Sequence, residues 1–196
     1  MELRRLCVLC GSSPGADAGY GELASGLGKL LADRSIELVY GGAQVGLMGE
    51  VANACLAHGG RVTGVIPRGL FAREVPHRGL TTLHELGSMH ERKQLMYDLA
   101  DAFVALPGGL GTLDELAEVS TWSALGLHSK PIMLLDADGF WDPLVTMLDD
   151  MVSQGFLGQA VRDGIQRSTS PEDALTRLAS AGPAAPRRTW ISPNER

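Results

Sequence analysis

Three times along this chain a short apolar run breaks off into glycine and a helical pattern takes over. Leu6 to Leu9 runs into Cys10-Gly11-Ser12-Ser13-Pro14-Gly15, Ile36 to Tyr40 into Gly41-Gly42, and Ala102 to Leu106 into Pro107-Gly108-Gly109-Leu110-Gly111-Thr112. The stretches that follow have apolar residues at helical spacing. Tyr20 to Ala32 carries Leu23, Leu27, Leu30 and Leu31, Leu47 to Ala57 carries Val51, Ala54 and Cys55, and Leu113 to Leu125 completes the set. Further strands are expected at Val62 to Ile66, Leu80 to Leu86 and Pro131 to Leu135. Further helices are expected at Met89 to Ala100, Trp141 to Ser153 and Pro171 to Ser180, the last with proline at its first turn. Arg68 to Arg78 reads as a loop with one helical turn at Leu70 to Arg73, and Ala160 to Ser168 fits either state.

Short apolar strands alternating with helices of this length predict an α/β fold: a doubly wound, Rossmann-like parallel sheet with helices on both faces. One domain is expected over residues 1–181, followed by a Pro-rich tail over 182–196. In such sheets ligands bind beyond the carboxyl ends of the strands, where the chain direction switches. The three glycine turns all belong to that edge.

Composition narrows the function. Glycine makes up 25 of the 196 residues, about twice ordinary usage. A net charge of −6 disfavours nucleic acid and anionic membranes as partners, since both need a basic face. The N-terminal apolar run is too short for a signal peptide, and no stretch approaches the roughly 18 residues of a membrane span. Cys7, Cys10 and Cys55 cannot all pair, and a C-x-x-C on a strand points to opposite faces, so buried thiols of a cytoplasmic protein are expected. His58, His77, His84, His90 and His128 show no metal spacing, and no metal site is expected.

The strongest chemical signal is Phe103-Val-Ala-Leu-Pro-Gly-Gly-Leu-Gly-Thr-Leu-Asp-Glu115. A buried strand enters glycines and opens a helix at Thr112, leaving backbone N–H groups and the positive end of the helix dipole for an anion such as phosphate. It is neither a Walker loop nor G-x-G-x-x-G. A plainer reading competes with it: Thr112-x-x-Glu115 is also a capping box, in which Thr112 caps the helix and Glu115 reaches back to it. Pro107 and the glycines tip the balance toward a ligand site, because a cap needs none of them. Ser88-Met89-His90-Glu91-Arg92-Lys93 puts two cations early in a helix, where they oppose its dipole. Such a placement suits a bound anion or a plain solvated face. Ser12 and Ser13 can bond phosphate or ribose, or cap a helix. Glu74, in the irregular loop, is an acid near several arginines.

Taken together these pieces resemble the LOG (Lonely Guy) family of cytokinin riboside 5′-monophosphate phosphoribohydrolases. Its members have often carried the label of lysine decarboxylases. The resemblance runs in order from Cys10 to about Leu178. It comprises C-G-S-S at 10–13, V-Y-G-G at 39–42, G-L-M-G at 46–49, G-V-I-P at 64–67, R-E at 73–74, M-H-E-R-K at 89–93, P-G-G-L-G-T-L-D-E at 107–115 and S-T-W at 120–122. Ala43 departs from it, where many members have a third glycine. The resemblance implies that Arg92 and Glu115 form the catalytic pair. It implies nucleotide contacts from Ser12, Ser13, Gly42, Glu74, Met89, Arg92, Lys93, Pro107, Gly108, Gly109, Leu110, Gly111, Thr112, Leu113, Asp114 and Thr121. It also implies homodimers or larger assemblies with active sites near the subunit contact, and no cofactor.

The chemistry suits these residues. Cleaving an N-glycosidic bond builds positive charge on the ribose, which an ionised Glu115 stabilises while it orients or deprotonates water. Arg92 can orient Glu115, hold phosphate or ribose hydroxyls, or assist departure of the base. Pyridoxal chemistry would need a Schiff-base lysine, and of Lys29, Lys93 and Lys130 only Lys93 is near the expected site, where it is better placed for phosphate. The expected substrate is a purine nucleoside 5′-monophosphate, AMP or an N6-substituted relative, split to free base and ribose 5-phosphate. A non-catalytic nucleotide sensor or carrier is the alternative, and Glu115 beside Arg92 separates the two, since binding alone needs no carboxylate at the ribose. An NAD-dependent oxidoreductase lacks its fingerprint here: the first turn has no G-x-G-x-x-G and no acid closes the second strand.

Overall fold

The computed structural model describes residues 2–68 and 75–181. Seven strands form one sheet: β1 (Arg5–Leu9), β2 (Glu37–Tyr40), β3 (Val62–Pro67), β4 (Thr82–Leu86), β5 (Ala102–Ala105), β6 (Ile132–Leu135) and β7 (Ile165–Ser168). Their order is β4-β3-β2-β1-β5-β6-β7 and every pairing is parallel. The chain winds outward from β1 in one direction, then returns to lay β5 on its other side. That reversal places the β1 and β5 loops next to each other, the expected ligand crevice of a doubly wound sheet.

The helices are α1 (Ala18–Asp33), α2 (Gly46–Ala57), α3 (Met89–Leu99), α4 (Leu110–Ala124), α5 (Asp142–Ser153), α6 (Gln159–Asp163) and α7 (Pro171–Ser180). They cover both faces, and the strand alternation decides which residues meet which helices. Leu6, Val8, Cys10, Leu38, Tyr40 and Val104 pack in one core with Leu27 of α1, Val51 of α2 and Leu175 of α7. Cys7, Leu9, Val39, Phe103 and Ala105 pack in the other with Met96 and Tyr97 of α3 and Leu116 and Val119 of α4. Cys7 and Cys10 therefore sit on opposite faces, both reduced and buried. The strand centres are apolar on both sides, as a sheet sandwiched between helices requires.

The ambiguous stretch 160–168 resolves into both states: α6 ends at Asp163 and β7 begins at Ile165, adding a seventh strand. Partial burial of β7 hid its pattern, since only Ile165 and Ser168 turn inward. The helical turn expected at Leu70 to Arg73, Glu74 and the tail over 182–196 lie outside the described residues. Among the described residues, no helix is long and apolar enough to cross a membrane.

Candidate active site

α4 does not begin where the sequence pattern placed it. It starts at Leu110, its N-cap is Gly109, and no side chain caps it. Thr112 therefore lies within the first turn and Glu115 in the second, so the capping-box reading fails, because the cap position belongs to Gly109 and not to Thr112. Glycine permits the early start because the strand-to-helix turn passes close to other chain. At Gly108 a Cβ would collide with Thr112 Oγ1 and stand 2.9 Å from the Gly11 amide nitrogen. The β1 and β5 loops are tied there, with Gly11 N–H donating to the Pro107 carbonyl at 3.1 Å. The first intrahelical bond runs from Leu113 N–H to the Gly109 carbonyl at 3.0 Å. The amides before Leu113 thus lack an acceptor inside the helix and remain available to an anion.

Arg92 comes from α3. Ser88 caps that helix by accepting the Glu91 amide at 3.2 Å, which fixes where the first turn starts. Arg92 leaves this turn towards the sheet edge, its side chain only 5% exposed. Its guanidinium lies over Gly41 at the end of β2, where a Cβ would collide with it. Nη1 donates to the Met89 sulfur at 3.7 Å, and Nη2 stands 3.8 Å from Glu115 Oε1. The Glu115 side chain is 12% exposed. Two opposite charges this well shielded from water interact far more strongly than a surface pair.

Around this pair lies a cavity of about 240 Å³, lined by Cys10, Gly11, Ser12, Met48, Met89, Arg92, Gly109, Leu110, Gly111, Thr112, Asp114 and Glu115. Nine of the residues singled out in the sequence meet there: Ser12, Met89, Arg92, Gly109, Leu110, Gly111, Thr112, Asp114 and Glu115. Ser13, Pro107 and Gly108 line an adjoining apolar cleft of about 220 Å³, which shares Gly11, Ser12 and Gly109 with the first and is walled by Tyr20 and Phe140. Four others line neither. Gly42 lies behind the β2 turn, where its carbonyl accepts the His77 amide. Leu113 and Thr121 are on the exposed side of α4, with the Thr121 hydroxyl donating to the Ala117 carbonyl at 2.7 Å. Lys93 is 8% exposed and binds Asp114 and Glu118, each at 3.1 Å, so it clamps α3 to α4 from outside the cavity. Burial alone pulls the Lys93 pKa down, but hydrogen bonds and charges from Glu118 and Asp114 outweigh it and raise the value.

Gly41, Met48 and Cys10 escaped the sequence reading. Gly41 belongs to the V-Y-G-G motif, but nothing local tells which of two glycines faces an arginine 51 positions away. Burial, more than the nearby Glu115 charge, pushes the Cys10 thiol well above its ordinary range, so it enters the cavity as a neutral wall.

The family model described as "possible lysine decarboxylase" matches residues 48–178. A protein of Rhodococcoides fascians named cytokinin riboside 5′-monophosphate phosphoribohydrolase is 46% identical over 178 residues, 90% of each chain. The chain belongs to the LOG family. An Oryza sativa subsp. japonica relative with the same enzyme name is 47% identical over 89% of this chain and 72% of its own. One from Arabidopsis thaliana is 45% identical over 92% and 83%. The LOG fold extends to more distant solved structures. A molybdenum cofactor binding protein of Rippkaea orientalis superposes with a TM-score of 0.68 at 22% identity, covering 92% of this chain and 98% of its own. The molybdenum cofactor carrier protein of Chlamydomonas reinhardtii gives 0.67 at 19% identity, covering 92% and 100%. At those identities the likeness is one of fold.

The decarboxylase label does not suit the residues. None of the three lysines lines the cavity: Lys29 is exposed on α1, Lys130 donates to the Tyr97 carbonyl at 2.6 Å, and Lys93 is held charged by its two carboxylates. A Schiff-base lysine must be a free, neutral amine beside the cofactor. Among the described residues, no group of His, Cys, Asp and Glu could hold a metal ion.

Proposed function

We propose that the protein hydrolyses the N-glycosidic bond of a purine nucleoside 5′-monophosphate, releasing free base and ribose 5-phosphate. The observation that carries the reading is the pairing of buried Arg92 and Glu115 beside the uncapped start of α4, within one cavity. The Leu110, Gly111 and Thr112 amides hold the 5′-phosphate, and this sets the ribose across from Glu115. As the C1′–N9 bond breaks, its electron pair leaves with the base and positive charge grows on the ribose ring. The Glu115 carboxylate stabilises that charge and orients water toward C1′; the water's oxygen bonds C1′ and keeps one hydrogen as the new hydroxyl, while its other proton passes to Glu115 and, in the end, to the base. Arg92 faces Glu115 Oε1 from 3.8 Å and supplies the opposite charge beside it. Met48 and Met89 give the base a polarisable apolar wall. The substrate is AMP or an N6-substituted relative.

The protein acts as a homodimer in the cytoplasm. Leu113, Ala117 and Thr121 of α4 and its C-cap Leu125 recur every fourth residue and all are exposed, forming a largely apolar stripe that starts beside the cavity. α5 buries no residue, and Met147 and Phe156 stay 55% and 87% exposed. A second copy of the chain covers this face. An antiparallel α4 pair centred on Ala117 sets Thr121 of the partner subunit against Leu113, next to Asp114 of the cavity wall, and so lets it reach a nucleotide that Thr121 cannot touch within its own protomer.

The test is release of free adenine from AMP, with isopentenyladenosine monophosphate in parallel. Glu115→Gln abolishes turnover and keeps nucleotide affinity within about tenfold. Binding without release by the parent chain would leave the carrier reading standing instead.

A further inference from the structure

One buried hydroxyl outside the cavity reaches the backbone of the catalytic acid. Tyr97 of α3 is 2% exposed, and its hydroxyl donates to the main-chain oxygen of Glu115 at 3.2 Å. A carbonyl oxygen has two lone pairs, so it takes this bond beside its helical one. The ring is gripped edge-on from two sides, with centroids 5.6 Å from Phe103 of β5 and 5.3 Å from Trp122 of α4. Burial first, then the charges of Glu115 and Glu118, raise the Tyr97 pKa far above its ordinary value, so the group stays a donor. One turn earlier, Lys93 binds Asp114 and Glu118. One face of α3 therefore grips α4 at residues 114, 115, 118 and 122, while neighbouring Arg92 turns into the cavity.

We propose that Tyr97 is a positioning residue, whose hydroxyl holds the Glu115 segment of α4 against α3 and so sets the carboxylate opposite Arg92. The inference rests on the hydrolase reading above. Arg92 Nη2 and Glu115 Oε1 stand 3.8 Å apart across the α3–α4 seam, so their spacing follows how α3 docks on α4, and Tyr97 supplies a contact made directly to the Glu115 main chain.

Tyr97→Phe keeps both ring contacts and removes only the hydroxyl. In the full-length chain, kcat for adenine release falls about fivefold while KM stays within about twofold, because ground-state binding through the α4 amides is untouched. In a Glu115→Asp background the same substitution costs clearly less, since the carboxylate it positions has already moved. A second readout needs no turnover: the Glu115 carboxyl carbon resonance, assigned by its loss in Glu115→Gln, shifts in Tyr97→Phe while that of Glu172 on α7 does not. Parent-like kcat with an unmoved Glu115 resonance overturns the proposal, as does an equal loss in the Glu115→Asp background. Absence of hydrolysis by the parent chain would instead sink the hydrolase reading, and the resonance would still decide whether Tyr97 positions Glu115.

Discussion

Gly41→Ala separates the folding role of a glycine from its catalytic one. Gly41 does not adopt positive φ, so alanine fits its backbone and the stability change should stay within about 1 kcal/mol. The added methyl would collide with Arg92 Nη2 and stand 3.1 Å from Arg92 Cζ and 3.0 Å from the Met48 sulfur. Normal contact between heavy atoms is about 3.5–4.0 Å, so the end of the guanidinium must retreat by at least about 1.5 Å. The end of a flexible side chain can do that at little cost to the fold. Its position opposite Glu115, 3.8 Å away, cannot survive the shift. A 1 Å misplacement at a reacting centre costs about 10² in rate, equivalent to about 2.7 kcal/mol of barrier. The assay is adenine release from AMP beside a thermal melt. The expected result is a melting temperature close to the parent's with kcat about a hundredfold lower, and no further loss when Gly41→Ala is added to Arg92→Ala. Parent-like kcat, or the same loss in the absence of Arg92, would refute the reasoning.

Gly108→Ala presses a methyl onto Thr112 Oγ1 and the Gly11 amide, so it should deform the β5–α4 loop and raise KM for AMP at least about tenfold, read in the same assay. Lys93→Met leaves Asp114 and Glu118 without their shared cation; because Asp114 is largely exposed, the loss should be about 1–2 kcal/mol, seen as a lower melting temperature. The Lys93 pKa is raised on folding, so this stabilisation is fully present below the ordinary value of 10.5 and fades as pH rises through the folded one. The melting gap between parent and Lys93→Met should therefore hold at neutral pH and close in strong alkali. Leu125→Asp, at the end of the exposed apolar stripe, should halve the mass seen by sedimentation and lower turnover with it; an unchanged dimer would move the subunit contact elsewhere.

Much of this architecture was legible in the residue order. Strands buried on both faces read as plain apolar runs, and their alternation with amphipathic helices leaves few topologies open. β7 was harder because a half-buried edge strand shows only two inward residues, Ile165 and Ser168. α4 starts three residues before the expected Leu113 because the threonine and glutamate at 112 and 115 imitate a cap, and the approach of Gly11 to Gly108 at the true turn comes from a residue remote in sequence. Lys93 shows the same limit at the site. Its neighbour Arg92 shares its charge and its stretch of helix, yet one position of rotation sends Arg92 into the cavity and Lys93 onto α4.

The sequence by itself determined the glycine-rich strand ends, because local conformational preference and hydrophobic period depend on near neighbours, and the likeness of its motifs to the LOG family singled out Arg92 and Glu115. Only the tertiary structure decided that Gly41 makes room for Arg92, that Tyr97 reaches the Glu115 backbone, and that Thr121 faces away from its own cavity. Those are distances between segments far apart in the chain. They follow from how helices pack across a twisted sheet, which no short stretch of residues encodes.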